Sequence, residues 1–341
     1  MNNKILNQIA NKLSNPPKGI LAADESTNTI TKRFDDINVE SNFENRRKYR
    51  ELLFKTEKIN SFISGVIMYD ETIRQSTSDG VPFGKYLSEQ GIYTGIKVDT
   101  GAIPLSPESN EKITEGLDGL GKRLIEYKKL DAVFTKWRAI IDINENENIP
   151  SDIAIDLNCS NLARYAKIVQ DHGMVPIVEP EVLMDGSHSI KKCYEVTSKV
   201  LKNLFERLTS NKVFLEGVLL KPNMVISGKK SAIQAPINEV AKMTIQCLSE
   251  NIPSEVPGIV FLSGGQSSEL ATSHLNEMNK LKKDLSWNLS FSYGRALQQS
   301  SLASWKGDDN KILDSQNALF KRSKLNSSAT LGQYSEDQEK L

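Results

Sequence analysis

Charged side chains end several short apolar segments of this chain, and their types could support carbonyl chemistry. Lys221 ends the apolar run in "FLEGVLLKPN", and Glu179 and Glu181 lie in "VPIVEPEVL". Ionisable groups inside apolar strands cost free energy unless they are paired or have a task. An uncharged lysine can attack a carbonyl carbon to form a Schiff base, and nearby carboxyl groups can transfer the protons. The pattern therefore predicts covalent chemistry at a lysine.

The parity of these residues indicates that they share one surface. Alternate side chains of a strand point to the same face. Six segments carry polar groups in line with their own apolar residues: Asp24; Lys97; Lys136 and Arg138; Glu179 and Glu181; Lys221; and Ser263. For one residue alone, capping of a strand in solvent is an equally good interpretation. For six segments together, convergence on one ring is the better hypothesis.

Such a ring would favour an uncharged amine. A lysine normally keeps its proton at neutral pH, and neighbouring cations such as Lys136 and Arg138, together with loss of water, favour the neutral form. The proton transfers of Schiff-base chemistry also need an acid. We therefore expect at least one carboxyl group of the ring to be kept protonated by its surroundings.

Two glycine-rich loops are candidates for a phosphate site. Gly264 and Gly265 follow one predicted strand in "FLSGGQS", and Gly294 and Arg295 follow the next in "SYGRA". Glycines allow close backbone approach, amides at a helix start can donate to an anion, and arginine offers a forked donor. Ordinary turns are the alternative interpretation for either loop alone. The segment "GLDGLGKR" has P-loop spacing, but Arg123 stands where a Mg²⁺-binding Ser or Thr belongs.

Composition excludes several classes of function. The 43 basic and 43 acidic residues cancel, so we expect no nucleic-acid or membrane partner. Three histidines without metal-ligand spacing, and three scattered cysteines, predict no metal site and reduced thiols in the cytoplasm. The N-terminus lacks the apolar region of a signal peptide, and no segment is long enough to cross a membrane.

The elements that must position these groups alternate between strand and helix. Eight apolar segments recur at intervals of roughly 30 to 45 residues, which is the spacing of βα units. The apolar stripe from Ile190 to Leu208, with Ser189 as N-cap, predicts one of the helices, and Gly173 is placed to end another. An open doubly wound sheet and a closed barrel both fit. Polar groups at nearly every strand end favour a (β/α)8 TIM barrel.

The chain is predicted to have three parts. The first is a helical segment over residues 1–18, and the second is the barrel over 19–305. The third, over 306–341, is a helix to about residue 324 followed by a mobile polar tail.

The strings "LAADES", "KWR", "VEPE", "LLKPNM", "LSGGQS" and "SYGRA", in this order, resemble class I fructose-bisphosphate aldolases. The resemblance spans residues 19–305. It implies a TIM barrel without metal or cofactor, in a homo-oligomer that is usually a tetramer. It also implies reversible cleavage of fructose 1,6-bisphosphate, a phosphorylated sugar, to dihydroxyacetone phosphate and glyceraldehyde 3-phosphate in glycolysis and gluconeogenesis.

The resemblance also implies roles for individual residues. Lys221 would form the Schiff base, Glu179 would be the acid and base for dehydration, and Lys136 would polarise the intermediate. Asp24 would take the proton of the C4 hydroxyl, and Glu181 would support the lysine network. One phosphate would lie at Ser263, Gly264, Gly265, Gly294 and Arg295, and the other at Ser26, Thr29, Arg33 and Lys97, with Arg138 also at the substrate.

One departure concerns the end of the chain. Animal members of the family end in a tyrosine that helps to exchange the enamine proton, whereas this chain ends "EDQEKL", and Tyr334 is the one tyrosine beyond the barrel. The hypothesis that Tyr334 takes the place of this tyrosine predicts that Tyr334→Phe slows cleavage.

Three rival functions stay open from sequence: another Schiff-base lyase or transaldolase that accepts one phosphate, a barrel that has lost its chemistry, and a metal-dependent aldolase.

Overall fold

The computed structural model describes residues 3–282 and 285–340. The strands are β1 Gly19–Ala23, β2 Ile63–Met68, β3 Tyr93–Lys97, β4 Gly101–Pro104, β5 Lys112–Glu115, β6 Ala132–Ile141, β7 Val175–Val182, β8 Leu219–Leu220, β9 Gly258–Phe261 and β10 Asn288–Tyr293. The helices are α1 Asn3–Ser14, α2 Thr27–Asp35, α3 Phe43–Phe54, α4 Asp70–Ile73, α5 Phe83–Glu89, α6 Leu120–Lys128, α7 Asp152–Asp171, α8 Ile190–Ser210, α9 Ile237–Asn251, α10 Ser268–Leu281, α11 Arg295–Trp305 and α12 Ile312–Thr330.

Eight of the strands close into a parallel barrel, which confirms the predicted fold class. The order around the barrel is β1, β10, β9, β8, β7, β6, β3 and β2. The register places Lys97 beside Lys136 and Arg138 beside Glu179. Because the strands are parallel, all their carboxyl ends face the same way, and the polar residues at these ends are brought together.

The interior of the barrel confirms the parity argument. The inward cluster contains Ile20, Ala22, Phe134, Ile177 and Leu219, which are the residues in line with the strand-end charges. The other inward members are Ile67, Val175 and Val260. Because alternate side chains of a strand point the same way, the charged residues at the strand ends also face inward, at the open mouth above this apolar layer.

Helix α1 closes the other mouth of the barrel. Leu6, Ile9, Ala10 and Leu13 on its inner side join the apolar interior cluster. The helix is fixed at its end, because the Ser64 hydroxyl donates to the Leu13 carbonyl at 2.7 Å. The predicted N-terminal helical segment thus forms the floor of the barrel.

Local signals for the outer helices are confirmed. Helix α8 begins at Ile190, and the Ser189 side chain accepts a hydrogen bond from the Lys192 amide at 3.2 Å. Helix α7 ends before Gly173, which has a φ of +72°. That left-handed conformation suits glycine because it has no Cβ to clash.

Two local predictions need correction, and one hairpin was missed. The segment around 214–221 is strand only over Leu219–Leu220, because a 3₁₀ turn occupies Leu215–Gly217. The β4–β5 hairpin was not predicted, since its short strands are mostly exposed and carry little apolar pattern. Helix α12 continues to Thr330, where the sequence predicted a polar tail from residue 325, because Leu325, Ala329 and Asn326 are buried.

Beyond α12 the chain stays in contact with the outer helices. Tyr334 is buried, its amide donates to Asn276 Oδ1 at 2.9 Å, and a 3₁₀ turn follows at Glu336–Glu339. Mobility of this tail stays a prediction. Within the two described ranges, the helices are too short or too polar to span a lipid bilayer.

Candidate active site

A cavity of about 370 Å³ opens at the carboxyl ends of the barrel strands. Every residue predicted for the site lines it: Asp24, Ser26, Thr29, Arg33, Lys97, Lys136, Arg138, Glu179, Glu181, Lys221, Ser263, Gly264, Gly265, Gly294 and Arg295. Basic groups outnumber acidic groups in this lining. The cavity therefore suits a small ligand with several negative charges.

A continuous chain of charged contacts crosses the centre of the cavity. Lys221 Nζ lies 3.2 Å from Glu179 Oε1, and Lys136 Nζ lies 3.1 Å from Glu179 Oε2. Lys136 Nζ also contacts Asp24 Oδ2 at 2.6 Å. The side chains of Lys136, Glu179 and Lys221 are each 4–5% exposed. One lysine is thus held within proton-transfer distance of a carboxylate that a second lysine also contacts.

The charges of this chain of contacts stabilise one another. Burial alone would raise the pKa of the Asp24 carboxyl, but Lys136 and Lys221 hold that pKa well below its usual range. Burial likewise opposes ionisation of Glu179, yet the same two lysines keep the Glu179 pKa low. Burial would lower the pKa of the Lys136 ammonium, and Asp24 and Glu179 together raise it. Asp24, Glu179 and Lys136 are therefore all charged near neutral pH.

For Asp24 and Glu179, this result is the opposite of the protonated carboxyl group that the sequence analysis expected in the ring. The sequence could show that carboxylates and lysines share a ring, but the lysines lie close enough to keep both Asp24 and Glu179 ionised. The proton for an acid step must therefore come to Glu179 from a neighbour. Lys221 Nζ at 3.2 Å is in position to supply it.

Two further cations flank the central group. The Arg138 guanidinium pairs with Glu181, and burial, which would lower the pKa of Arg138, is outweighed by Glu181 so that this pKa is raised. Lys97 donates to the Asp99 carbonyl at 3.0 Å and pairs with the Asp99 carboxylate. Asp99 lies two residues after Lys97, so strand alternation places both on the same face, and the Asp99 side chain is 3% exposed. These pairs hold the cations at fixed places on the cavity wall.

Backbone geometry explains the glycines of the predicted phosphate loops. Gly264 and Gly265 have φ values of +56° and +77°, which L side chains rarely adopt. Helix α11 begins at Arg295, directly after Gly294, so its first amides face the carboxyl end of the barrel. Free amides, a guanidinium and the Ser263 hydroxyl together offer a concentrated set of donors to an anion.

The part of the cavity next to Gly294 is built around a buried carboxylate that the sequence analysis missed. Glu25 pairs with Arg33 and, at 2.7 Å, with the buried Arg50. The Gln298 amide donates to Glu25 Oε1 at 3.0 Å. Burial opposes the ionisation of Glu25, but Arg33 and Arg50 keep its pKa low. Glu25 follows Asp24 directly in "LAADES", which was the one signal that could have identified it.

Ser26 and Thr29 lie beside this carboxylate at the start of α2, with 3.1 Å between their hydroxyl oxygens. The remaining residues of the lining were also not predicted, and they are Ala22, Leu183, Asp185, Lys229, Leu262 and Ser292. Ser292 lies two residues before Gly294, so strand alternation could have predicted that it lines the cavity. Asp185 and Lys229 belong to loops, where no periodicity indicates direction.

Two features noted in the sequence, Tyr334 and the P-loop-like segment, lie outside the cavity lining. Tyr334 lies on the outer helix layer, where its hydroxyl donates to Glu339 Oε1 at 2.9 Å. Arg123 of the P-loop-like segment donates to the Val98 carbonyl at 2.8 Å and to the Gly116 carbonyl, so it ties that loop to the barrel. Over residues 3–282 and 285–340, three or more His, Cys, Asp or Glu side chains do not meet in a metal-binding arrangement.

Comparisons with known proteins agree with this architecture. A family model described as fructose-bisphosphate aldolase class-I matches residues 5–341. A probable fructose-bisphosphate aldolase class 1 of Xanthomonas campestris is 52% identical over 330 residues, which cover 96% of this chain and 98% of the relative. The cytosolic fructose-bisphosphate aldolase 6 of Arabidopsis thaliana is 52% identical over 325 residues, covering 95% and 90%.

A solved structure is similar over almost the whole chain. The fructose-bisphosphate aldolase of Plasmodium falciparum, in complex with TRAP and a small-molecule inhibitor, superposes with a TM-score of 0.96 at 46% identity. The match covers 98% of this chain and 96% of that one. With the family model and these relatives, the result identifies the protein: the chain belongs to the class I fructose-bisphosphate aldolases.

Proposed function

We propose that this chain cleaves fructose 1,6-bisphosphate reversibly through a Schiff base on Lys221. The observation that carries the proposal is the buried contact series from Lys221 through Glu179 and Lys136 to Asp24, with separations of 3.2, 3.1 and 2.6 Å. It joins a nucleophile, a proton carrier and a base within one cavity. The catalytic roles below are those that the resemblance to class I aldolases implies, and these distances support them.

The first step joins the amine to the sugar. A proton passes from the Lys221 ammonium to Glu179 Oε1, which leaves a neutral amine beside a carboxylic acid. The amine attacks the C2 carbonyl, and a proton moves from its nitrogen to the C2 oxygen, so the resulting carbinolamine carries a hydroxyl on C2. Glu179 returns its proton to that hydroxyl, which leaves as water while the C–N double bond of the iminium forms. Arg138 and its partner Glu181 hold the adjoining wall of the cavity.

The second step breaks the bond between C3 and C4. The Asp24 carboxylate accepts the proton of the C4 hydroxyl, and the C3–C4 electron pair moves toward the iminium to give an enamine and a free aldehyde. Lys136, in contact with both Asp24 and Glu179, keeps both carboxylates in place and stabilises their charge. The enamine then takes a proton at C3, for which the proton held by Asp24 is the net source, and hydrolysis of the iminium releases dihydroxyacetone phosphate from Lys221.

The two phosphates occupy separate sites in the cavity in this proposal. The phosphate on C1 is one carbon from the Schiff base, so it belongs next to the strand that carries Lys221. Strand β9, which pairs with β8, leads to Ser263, Gly264 and Gly265, and Gly294 and Arg295 complete that site. Ser26, Thr29, Arg33 and Lys97 would hold the second phosphate, with Arg33 oriented by Glu25.

We also propose that the chain acts in the cytoplasm as a homo-oligomer, with a tetramer as the expected state. The Arabidopsis relative is named as cytosolic. Ile153 and Leu157 lie one helical turn apart on α7 and are 67% and 39% exposed. An apolar pair of this kind on an outer helix is suited to a subunit contact. Sedimentation analysis of the protein tests the assembly state.

Borohydride trapping tests the proposed reaction. Reduction in the presence of dihydroxyacetone phosphate should attach the ligand to the peptide that contains Lys221 and abolish activity. Lys221→Met should stay folded, because the side chains are similar in volume, and should lose at least about 10⁴-fold in kcat. Lys4→Met, an exposed lysine at the opposite end of the barrel, is the matched control. Activity without labelling at Lys221, or an active Lys221→Met, would contradict the proposal.

A further inference from the structure

The loops that follow β7 and β8 are bound to each other at the cavity mouth. The Lys229 amide donates to the Met184 carbonyl at 2.6 Å, and the flanking amides of Gly228 and Lys230 donate to the carbonyls of His188 and Gly186 at 2.9 and 3.0 Å. A Cβ on Gly228 would lie 2.2 Å from the Gly186 carbonyl oxygen. This close approach fixes the backbone of Lys229 relative to the barrel.

The Lys229 side chain extends from this fixed backbone toward the predicted phosphate loop. It lines the cavity, and a Cβ on Gly265 would lie 2.8 Å from its Nζ atom. Its neighbour Lys230 is exposed and lies outside the cavity lining. Of these two consecutive lysines, Lys229 alone brings its ammonium to the loop of Gly264 and Gly265.

Lys229 already has an anionic partner that a ligand could replace. Its Nζ atom lies 2.9 Å from Asp185 Oδ1, and the two side chains are 41% and 63% exposed. An exposed pair of this kind contributes little to stability. A phosphate group carries about −1.5 to −2 charges near pH 7, so it attracts the ammonium more strongly than a single carboxylate does.

We propose that Lys229 is a further substrate-binding residue, which exchanges Asp185 for the C1 phosphate when the ligand enters. Asp185 then sets the affinity, because its carboxylate competes with the phosphate for the same ammonium. The ligand class is a ketose phosphorylated on C1, together with dihydroxyacetone phosphate. This inference rests on the proposed function, which places that phosphate at Ser263, Gly264 and Gly265.

Steady-state cleavage of fructose 1,6-bisphosphate by three variants tests the exchange. Lys229→Met should raise KM about tenfold with kcat nearly unchanged, which is the loss of one charge-assisted contact. Asp185→Asn should lower KM about two- to fivefold, because a competitor of about 0.4–1 kcal/mol is removed. Lys230→Met, the adjacent lysine, should leave KM unchanged. Added salt should weaken binding less in Lys229→Met than in the wild type.

Opposite shifts of KM in Lys229→Met and Asp185→Asn separate ligand binding from a merely structural ion pair, which would move both in the same direction. Equal KM values for Lys229→Met and Lys230→Met would overturn the inference, and so would a raised KM in Asp185→Asn. If Lys229→Met does not fold, Asp185→Asn decides alone.

Failure of the proposed function would be visible separately, as absence of cleavage by the wild type. Calorimetric binding of dihydroxyacetone phosphate then tests Lys229 without turnover. Weaker binding in Lys229→Met than in Lys230→Met supports the role of Lys229, and equal binding in these two variants refutes it.

Discussion

The two ends of the barrel are built from opposite kinds of side chain. At the floor, Leu6, Ile9 and Leu13 of α1 pack on the inward residues of the strands and exclude water. At the open mouth, the inward positions carry Lys136, Glu179 and Lys221, which are as buried as the apolar floor but have ionisable side chains. The same strands supply both ends, so position along the strand decides between packing and chemistry.

The difference shows where the free energy of unfolding comes from. A fully buried leucine at the floor contributes about 1.5–3 kcal/mol through the hydrophobic effect. Buried ion pairs at the mouth recover little more than the cost of taking their charges out of water. The floor therefore stabilises the fold, and the mouth holds reactive groups at fixed distances with little gain in stability.

After Lys221→Met, the largest expected effect comes from removing the carboxylate of Glu179 at the mouth. Glu179→Gln should lower kcat by about 10²–10⁴-fold, because the side chain can no longer carry the proton between Lys221 and the C2 hydroxyl. Steady-state kinetics checks this prediction, and circular dichroism reports whether the fold is retained. Glu206→Gln on the exposed side of α8 is the matched control. A kcat within a few-fold of the wild type would remove Glu179 from the mechanism.

A substitution at the floor should produce the reverse result. Leu13→Ala should lower the free energy of unfolding by about 2–5 kcal/mol, because the side chain is fully buried between α1 and β2. Denaturant unfolding measures the loss, with the exposed Lys4→Ala on the same helix as control. Below the unfolding transition kcat should be unchanged. A large fall in kcat for folded protein would mean that the two ends are not independent.

The smallest effect is expected at Tyr334, which belongs to neither end. Tyr334→Phe removes the hydrogen bond to Glu339 and should cost about 0.5–1.5 kcal/mol of unfolding free energy, with kcat unchanged. In a Glu339→Gln background the same substitution should cost less, since the partner has already changed. A slower cleavage step in Tyr334→Phe would instead support the hypothesis that this ring reaches the mouth during turnover.

Prediction from sequence succeeded where a simple period governs structure. Strand alternation placed Asp24, Lys136, Glu179 and Lys221 at one mouth, and the Ser189 cap and Gly173 marked helix ends. Prediction failed where contacts between residues far apart in the chain determine the position of a side chain. Glu25 is held by Arg50 from α3 and Gln298 from α11, and Lys229 is held by a loop more than forty residues earlier in the chain.

The sequence by itself determined the alternation of strands and helices, the face on which each charged residue lies and the chemical types present in the site. Those properties depend on neighbours two to four residues apart. Only the tertiary structure decided the ionisation of Asp24 and Glu179, the pairing of Lys229 with Asp185 and the placement of Tyr334 against the outer helices. Coulombic energy depends on the distance between charges in space, and that distance is set only when the whole barrel closes.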